Sequence, residues 1–332
     1  GRQRRMGLRA LYTVIQNAEQ LQAVRDNLSA NYLLGNHIDA SATASWNGGA
    51  GFDPLGVSNN SFSGQLDGMG YIVDGLTIKR ADQLGVGLFG YTTADSQIRN
   101  LGLSNVNIQG QSFVGALVGK SLGILDGVFA TGRVRGDFVV GGLAGSSQGK
   151  ITESYAATDI EAFSIAGGLV GSQGPGIYDS ATRTRGTSSV DNSYATGTIK
   201  VTVDPASGSA GGLVGMLDGA ISNSYSTVII NDTAAGLVGS ATQGVFTNVY
   251  YANTDRDGNA LDTVGLDFGG RSWAEMAQLD TFITWGSDID AAGGTGASWS
   301  PYEGNGKPPP RPSAHARPRA GDTTTHNSEG KR

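Results

Sequence analysis

From about Tyr32 the hydrophobic positions fall in short bursts of β character, each closed by glycine or asparagine. Within them one phrase is written six times, a leucine held between small residues: Gly87-Leu88-Phe89-Gly90, then copies centred on Leu117, Leu143, Leu169, Leu213 and Leu237. Ala116 replaces the opening glycine in the second copy, and Gly119, Gly145, Gly171, Gly215 and Gly239 close the later ones. The closing glycines are 29, 26, 26, 44 and 24 residues apart. A second landmark follows each phrase, an aliphatic or aromatic residue with a tyrosine four later: Ile151 to Tyr155, Val190 to Tyr194, Ile221 to Tyr225 and Phe246 to Tyr250. Two earlier copies read Ile98 to Gly102 and Ile124 to Val128.

A period in this range marks a repeat whose single unit cannot bury its apolar face alone. The expected fold is all-β, a single-stranded parallel β-helix (a β-solenoid) with coils of about 26 residues and short helical caps at both ends. Propeller blades need about 40 residues or more, which the spacing does not supply. Strands of successive coils would pair in parallel at about 4.8 Å. Leu88, Leu117, Leu143, Leu169, Leu213 and Leu237 would form an inward ladder, each worth roughly 1.5–3 kcal/mol when buried. Ile151, Val190 and Ile221 would form a second. The glycines suit positive φ or a close backbone approach, and Asn192, Asn223 and Asn248 suit turns. The single 44-residue gap exceeds 26 by 18, which extra residues within Ser172–Ser189 and near Val201–Ser209 explain. Such insertions loop out of the stack.

The flanks differ. Residues 1–16 form an N-terminal flank and 17–31 a capping helix. Asn17 is its N-cap, Gln20 the capping-box partner, and Leu21, Ala23, Val24 and Leu28 share a face. The solenoid runs over 32–253, with strands split at Asp67-Gly68 and Asp74-Gly75. A C-terminal cap covers 254–306, with a short helix from Ser272 to Leu279 and with Trp285 and Trp299 packed on the last coil. Residues 307–332, proline-rich and poor in apolar side chains, are expected to be disordered.

Composition narrows the function. There are 53 glycines and no cysteine in 332 residues, which excludes disulfides and thiolate chemistry. No burst approaches the roughly 20 apolar residues of a membrane helix. The net charge of −6 conceals basic ends: Arg2, Arg4, Arg5 and Arg9 at the start, and six bases against Asp322 and Glu329 in 307–332. Residues 11–306 hold 13 bases and 27 acids, so the body repels phosphate and nucleic acid is not an expected partner.

Candidate chemistry is sparse. Of three histidines, His315 and His326 lie in the tail, and His37 beside Asp39 has no nucleophile or second histidine placed with it. Asp126, Asp137, Glu153, Asp159, Glu161 and Asp191 lie in different coils, and stacking could converge some of them as a polysaccharide lyase or hydrolase requires. Asn253, Asp255 and Asp257, with Gly258 sixth, resemble the start of a calcium loop, but Val264 stands where the bidentate glutamate is needed. No cofactor is expected. Arg135-Gly136-Asp137 spells the tripeptide that integrins read, although the repeat alone places a glycine at 136. The larger insertion carries Tyr178, Arg183 and Arg185, an aromatic face with fixed donors that suits a carbohydrate or acidic partner.

The repeated Gly-Leu-x-Gly phrase with its Ile-x-Asn-Ser-Tyr landmark resembles the GLUG motif of bacterial exoproteins related to filamentous haemagglutinin. Ala18-Glu19-Gln20-Leu21, His37-Ile38-Asp39-Ala40, Phe52-Asp53-Pro54-Leu55-Gly56 and Tyr302-Glu303-Gly304 extend the likeness over roughly 17–306. The resemblance implies a secreted or outer-membrane-associated surface module within a larger exoprotein. It implies adhesion to a host-cell glycan or protein, or to neighbouring bacterial cells. A polysaccharide-processing enzyme and an inert spacer remain the alternatives.

Overall fold

The computed structural model describes residues 12–176, 178–179, 184–186, 188–202, 209–231, 233–264, 266, 269–276, 278, 281–282, 285, 299–300 and 311–312. The chain is a parallel β-helix. Strands of successive coils pair in parallel, forming one continuous sheet and a smaller one of five strands. All six phrase leucines are fully buried. Their backbones are linked coil to coil, Leu117 N–H donating to the Leu143 carbonyl, Leu143 to Leu169, Leu169 to Leu213 and Leu213 to Leu237. The residue after each leucine makes a further buried row: Phe89, Val118, Ala144, Val170, Val214 and Val238.

The Ile-x-Asn-Ser-Tyr landmark resolves into four adjacent columns. The first is an inward ladder of Leu66, Ile98, Leu125, Ile151, Val190 and Ile221, aligned coil by coil and buried. Here the expectation of Ile124 is one residue out. Leu125 is the buried member and Ile124 is 39% exposed, because a slip of one residue exchanges the two faces of a strand. With Leu125 in place, Phe129 rather than Val128 occupies the tyrosine column. Two residues beyond the ladder, the chain turns through a left-handed conformation at Asn100, Gly127, Glu153, Asn192, Asn223 and Asn248, with φ between 44° and 60°. Glycine and asparagine adopt this conformation at least cost.

Serine comes next, fully buried at 154, 193 and 224. Each hydroxyl accepts a backbone N–H from the preceding coil: Val128 to Ser154, Ser154 to Ser193 and Ser193 to Ser224, all at 3.2 Å. Each then donates to the carbonyl two residues behind it, at 2.6–2.8 Å. The fourth column is aromatic and points outward. Phe129, Tyr155, Tyr194 and Tyr225 stack with centroids 5.0, 4.8 and 4.9 Å apart and planes within 7°.

Of the two reasons for the phrase glycines, close approach is the observed one. A Cβ on Gly145 would lie 2.4 Å from the Phe113 carbonyl carbon and the Val114 nitrogen. On the opening glycines, Gly142 and Gly168, it would lie 2.7 and 2.8 Å from the methyls of Ala156 and Ala195.

Register also locates the insertions. Ser147 and Lys150 align with Gln173 and Ser189, so fifteen residues stand where the neighbouring coil has two. Ala162 and Ala166 align with Val201 and Ala210, so eight stand where three do. The surplus of thirteen and five accounts for the long gap.

The ends depart from expectation in detail. The helix is Ala18–Gln22 followed by a 3-10 turn, Ala23–Asp26. Asn17 Oδ1 caps it at Gln20 N–H, 2.8 Å, but Gln20 Oε1 takes the N–H of Gln16, one residue upstream of the capping-box position. The tighter turn swings Ala23 out to solvent while Leu21, Val24 and Leu28 stay buried. Strand Thr13–Ile15 precedes the helix and pairs with Asn31–Leu34, so the stack begins inside the expected flank. Among the described residues the C-terminal helix is Trp273–Met276, and Ala277 and Leu279 of its expected span lie outside them. Met276, Phe282 and Trp285 cover the tyrosine column at 194, 225 and 250, and Trp285 Nε1 donates to the Asn248 carbonyl at 3.0 Å. Backbone at Trp299–Ser300 pairs with Arg311–Pro312. The rest of the expected tail lies outside the described residues.

Two substitutions test these columns. Ser193→Ala leaves the buried Ser154 N–H without its acceptor and costs about 1–3 kcal/mol in denaturant melts. Glu153→Asn places the residue of four other coils in the left-handed corner and gains roughly 0.5–1 kcal/mol by the same measurement.

Candidate functional site

Because the inward rows fill the interior, the chemistry-bearing side chains face out. The broadest such face is built by the strands Thr77–Lys79, Gly102–Gln109, Phe129–Gly136, Tyr155–Ala162 and Tyr194–Val201. Their inward row is Ile78, Ile108, Val134, Ile160 and Ile199, all buried. The alternate positions form two outward rows. One runs Asn107, Arg133, Asp159, Thr198, with Thr77 buried at its first rung, and the other Lys79, Gln109, Arg135, Glu161, Lys200. Together they line an open valley of about 540 Å³. Arg135 pairs with Glu161 across one rung, and Thr198 Oγ1 donates to Asp159 at 2.8 Å. A second depression, about 440 Å³, adjoins it at Thr198 and includes Thr196, Thr227 and Trp273. The Arg256 guanidinium lies 5.1 Å from the Trp273 ring centre.

This valley is the site that reading along the chain missed. Its residues are 26 to 39 apart in sequence from rung to rung, and only coil register brings them together. The available signal was the strict alternation of apolar and polar residues from Asn107 to Gln109 and its copies.

The residues singled out from the sequence are placed as follows. Arg135 is exposed in the valley, but Gly136 is buried at the end of a strand, where a Cβ would meet Val114 and Val140 at 2.8 and 2.9 Å. The tripeptide is therefore built into the coil, and Asp137 starts the corner beyond it; no projecting loop displays it. Gly136 aligns with Ala162, and Ala162 with Val201, so the column is buried and apolar and the glycine belongs to the packed coil.

The larger insertion forms a small antiparallel hairpin, Tyr178 opposite Arg185 and Asp179 opposite Thr184. Arg183 lies outside the described residues. Asp255 lies in a turn that its own carboxylate organises. Its Oδ1 accepts the N–H groups of Asp257 and Asn259, at 2.9 and 2.8 Å, and its Oδ2 the Asn259 side chain at 2.8 Å. These bonds, that of the Asn259 side chain foremost, hold its pKa below the ordinary carboxylate value. Asn253 and Asp257 flank this closed turn. Among the described residues no three acidic or histidine side chains gather as a metal site would require.

His37 is exposed, accepts the Ile72 N–H on Nδ1 at 3.1 Å, and meets Tyr71 edge-on. Asp39 caps Ser41, whose hydrogen bonds lower its pKa. Asp126 accepts from Thr152, and Asp191 accepts from Ser189 and Ser222.

No family model matches the chain. Over 131 residues, 36% of the chain, it is 40% identical to halomucin of Haloquadratum walsbyi. Over 119 residues it is 35% identical to a putative Gly-rich membrane protein of Evansella cellulosilytica. The matched segments span 1% and 14% of those proteins, so the chain corresponds to a small part of either. A solved IgA1 protease shares the fold, with a TM-score of 0.51 at 22% identity, covering 78% of this chain and 21% of that one. No helix among the described residues is long and apolar enough to cross a membrane.

The edge of the site carries a pH dependence. Glu275 accepts the N–H of Ser272 at 2.7 Å and its hydroxyl at 2.8 Å, bonds that lower its pKa. A lowered folded pKa means that the stabilisation is present above the unfolded carboxyl value and is lost as pH falls through the folded one. Tryptophan fluorescence of the segment bearing Trp273 and Trp285 should therefore change on acidification below the ordinary glutamate range. Glu275→Gln should remove that transition.

Proposed function

We propose that the chain is a GLUG-type β-helical module of a secreted or surface exoprotein, non-enzymatic and adhesive, which displays its outer face and hairpin to glycans or proteins of a host or neighbouring cell. The observation that carries this reading is the division of labour in each coil. Inward positions are spent on packing ladders, while polar side chains and surplus chain are turned outward. Surfaces of stacked repeats serve as extended binding faces, and loops carried on a rigid scaffold hold function more often than the scaffold does. The sequence shared with halomucin and with a putative Gly-rich membrane protein supports the setting.

The polysaccharide-processing alternative asks for carboxylates converging in a cleft. Asp126, Asp159, Glu161 and Asp191 instead each meet a hydroxyl or a guanidinium. Release of reducing ends from a bound polysaccharide would overturn the non-enzymatic reading.

Deleting residues 174–186 tests the hairpin. It removes the thirteen surplus residues and leaves two between Gln173 and Ser189, as between Ser147 and Lys150. The variant should fold with little change in Tm and lose binding to cells and to a glycan array. Full binding by the folded variant removes the hairpin from the contact surface. Failure of the intact chain to bind any cell or glycan leaves only the spacer.

A further inference from the structure

The outward rows of the valley are ordered. In the described residues Lys79, Arg133 and Lys200 have no ion pair, hydrogen bond or aromatic contact from their side chains, whereas Arg25, Arg80 and Arg99 are held by Asp53 or Asp67. Counted along the stack, Lys79 stands on one coil, Arg133 and Arg135 two coils on, and Lys200 two coils beyond those. The cations thus recur every second rung, roughly 9.6 Å apart at the parallel strand spacing. The intervening rungs present hydrogen-bonding groups without positive charge, Asn107 and Gln109 on one and Asp159 and Glu161 on the other.

We propose that this valley binds a linear acidic polysaccharide lying along the helix axis, with a carboxylate or sulfate on alternate sugar rings. The inference rests on the adhesive reading above and names the ligand class of its outer face. The roughly 9.6 Å repeat of the cations is close to the length of a disaccharide unit. Acidic rings meet lysine or arginine, and the planar guanidinium of Arg133 suits a two-oxygen acid group. Neutral rings fall over the amide and carboxylate rungs, where ring hydroxyls donate to Gln109, Asp159 and Glu161. A polymer charged on every ring would set an acid against Asp159 and Glu161, so those two residues select for alternation by repulsion. The acidic body does not prevent approach, because at physiological salt its field is screened within about 8 Å.

The test is retention of the full chain on immobilised hyaluronan, acidic on alternate rings, against polygalacturonate, acidic on every ring, and neutral dextran. Hyaluronan should retain the chain best, with retention falling as salt rises. Lys79→Gln, Arg133→Gln and Lys200→Gln should each weaken retention roughly fivefold, and the triple variant on the order of a hundredfold, with Tm unchanged. Lys150→Gln, an exposed cation on another face, should have no effect. Asp159→Asn with Glu161→Gln should narrow the preference over polygalacturonate. Equal weakening by Lys150→Gln, or polygalacturonate bound as tightly as hyaluronan by the wild type, overturns the proposal. Binding to neutral or protein ligands alone overturns it while leaving the adhesive reading standing, and binding to nothing ends both.

Discussion

Backbone hydrogen bonds between successive coils hold parallel strands about 4.8 Å apart, and that distance governs every side chain in the stack. A residue has the same position of the next coil directly above and below it, so whatever fills a column must tolerate a copy of itself at that separation. Leucine and isoleucine do so by interdigitating. Tyrosine does so by stacking face to face, which is why the rings at 129, 155, 194 and 225 repeat at 4.8–5.0 Å, the pitch of the coil itself. Serine does so by handing a hydrogen bond from coil to coil. Glycine is demanded where the two sheets approach until a methyl would lie 2.4 Å from a backbone atom.

The same constraint explains what cannot be absorbed. A strand position cannot hold an extra residue without shifting every column after it. The inserted segments at 174–188 and 202–209 sit between matched rungs, and the alignments on either side of them are unbroken. The cost of such a loop grows only slowly with length, whereas a slipped register would turn each buried face outward.

Periodicity made the fold legible. The phrase leucines, the Asn-Ser-Tyr columns and the size of the insertions all follow from spacing. Legibility failed where two apolar neighbours compete, as at Ile124 and Leu125, since composition does not say which of them alternates inward. It failed at Ala23, where the helix tightens into a 3-10 turn. The direction of the tyrosines was also hidden: tyrosine is ambivalent between core and surface, and only the segment bearing Met276, Phe282 and Trp285 decides that the stripe is covered. The candidate site was least legible. Its residues belong to different coils and no local motif joins them, while the motif that was local, Arg135-Gly136-Asp137, proved to be coil geometry at its centre.

Internal repetition exposes what each face is for. Along the long strands the inward row holds Ile78, Ile108, Val134, Ile160 and Ile199, a set that varies by a single methylene. The outward row one residue on holds Lys79, Gln109, Arg135, Glu161 and Lys200, with no two adjacent members alike in charge. Both rows share the same backbone, pitch and register. Packing therefore dictates one row and leaves the other open, because an outward side chain can change its charge without disturbing the column behind it. A β-helix is in this respect a ruler whose marks can be rewritten independently. Recognition of a ligand with its own repeat then becomes a matter of which rungs carry which charge, with the spacing already supplied by the fold.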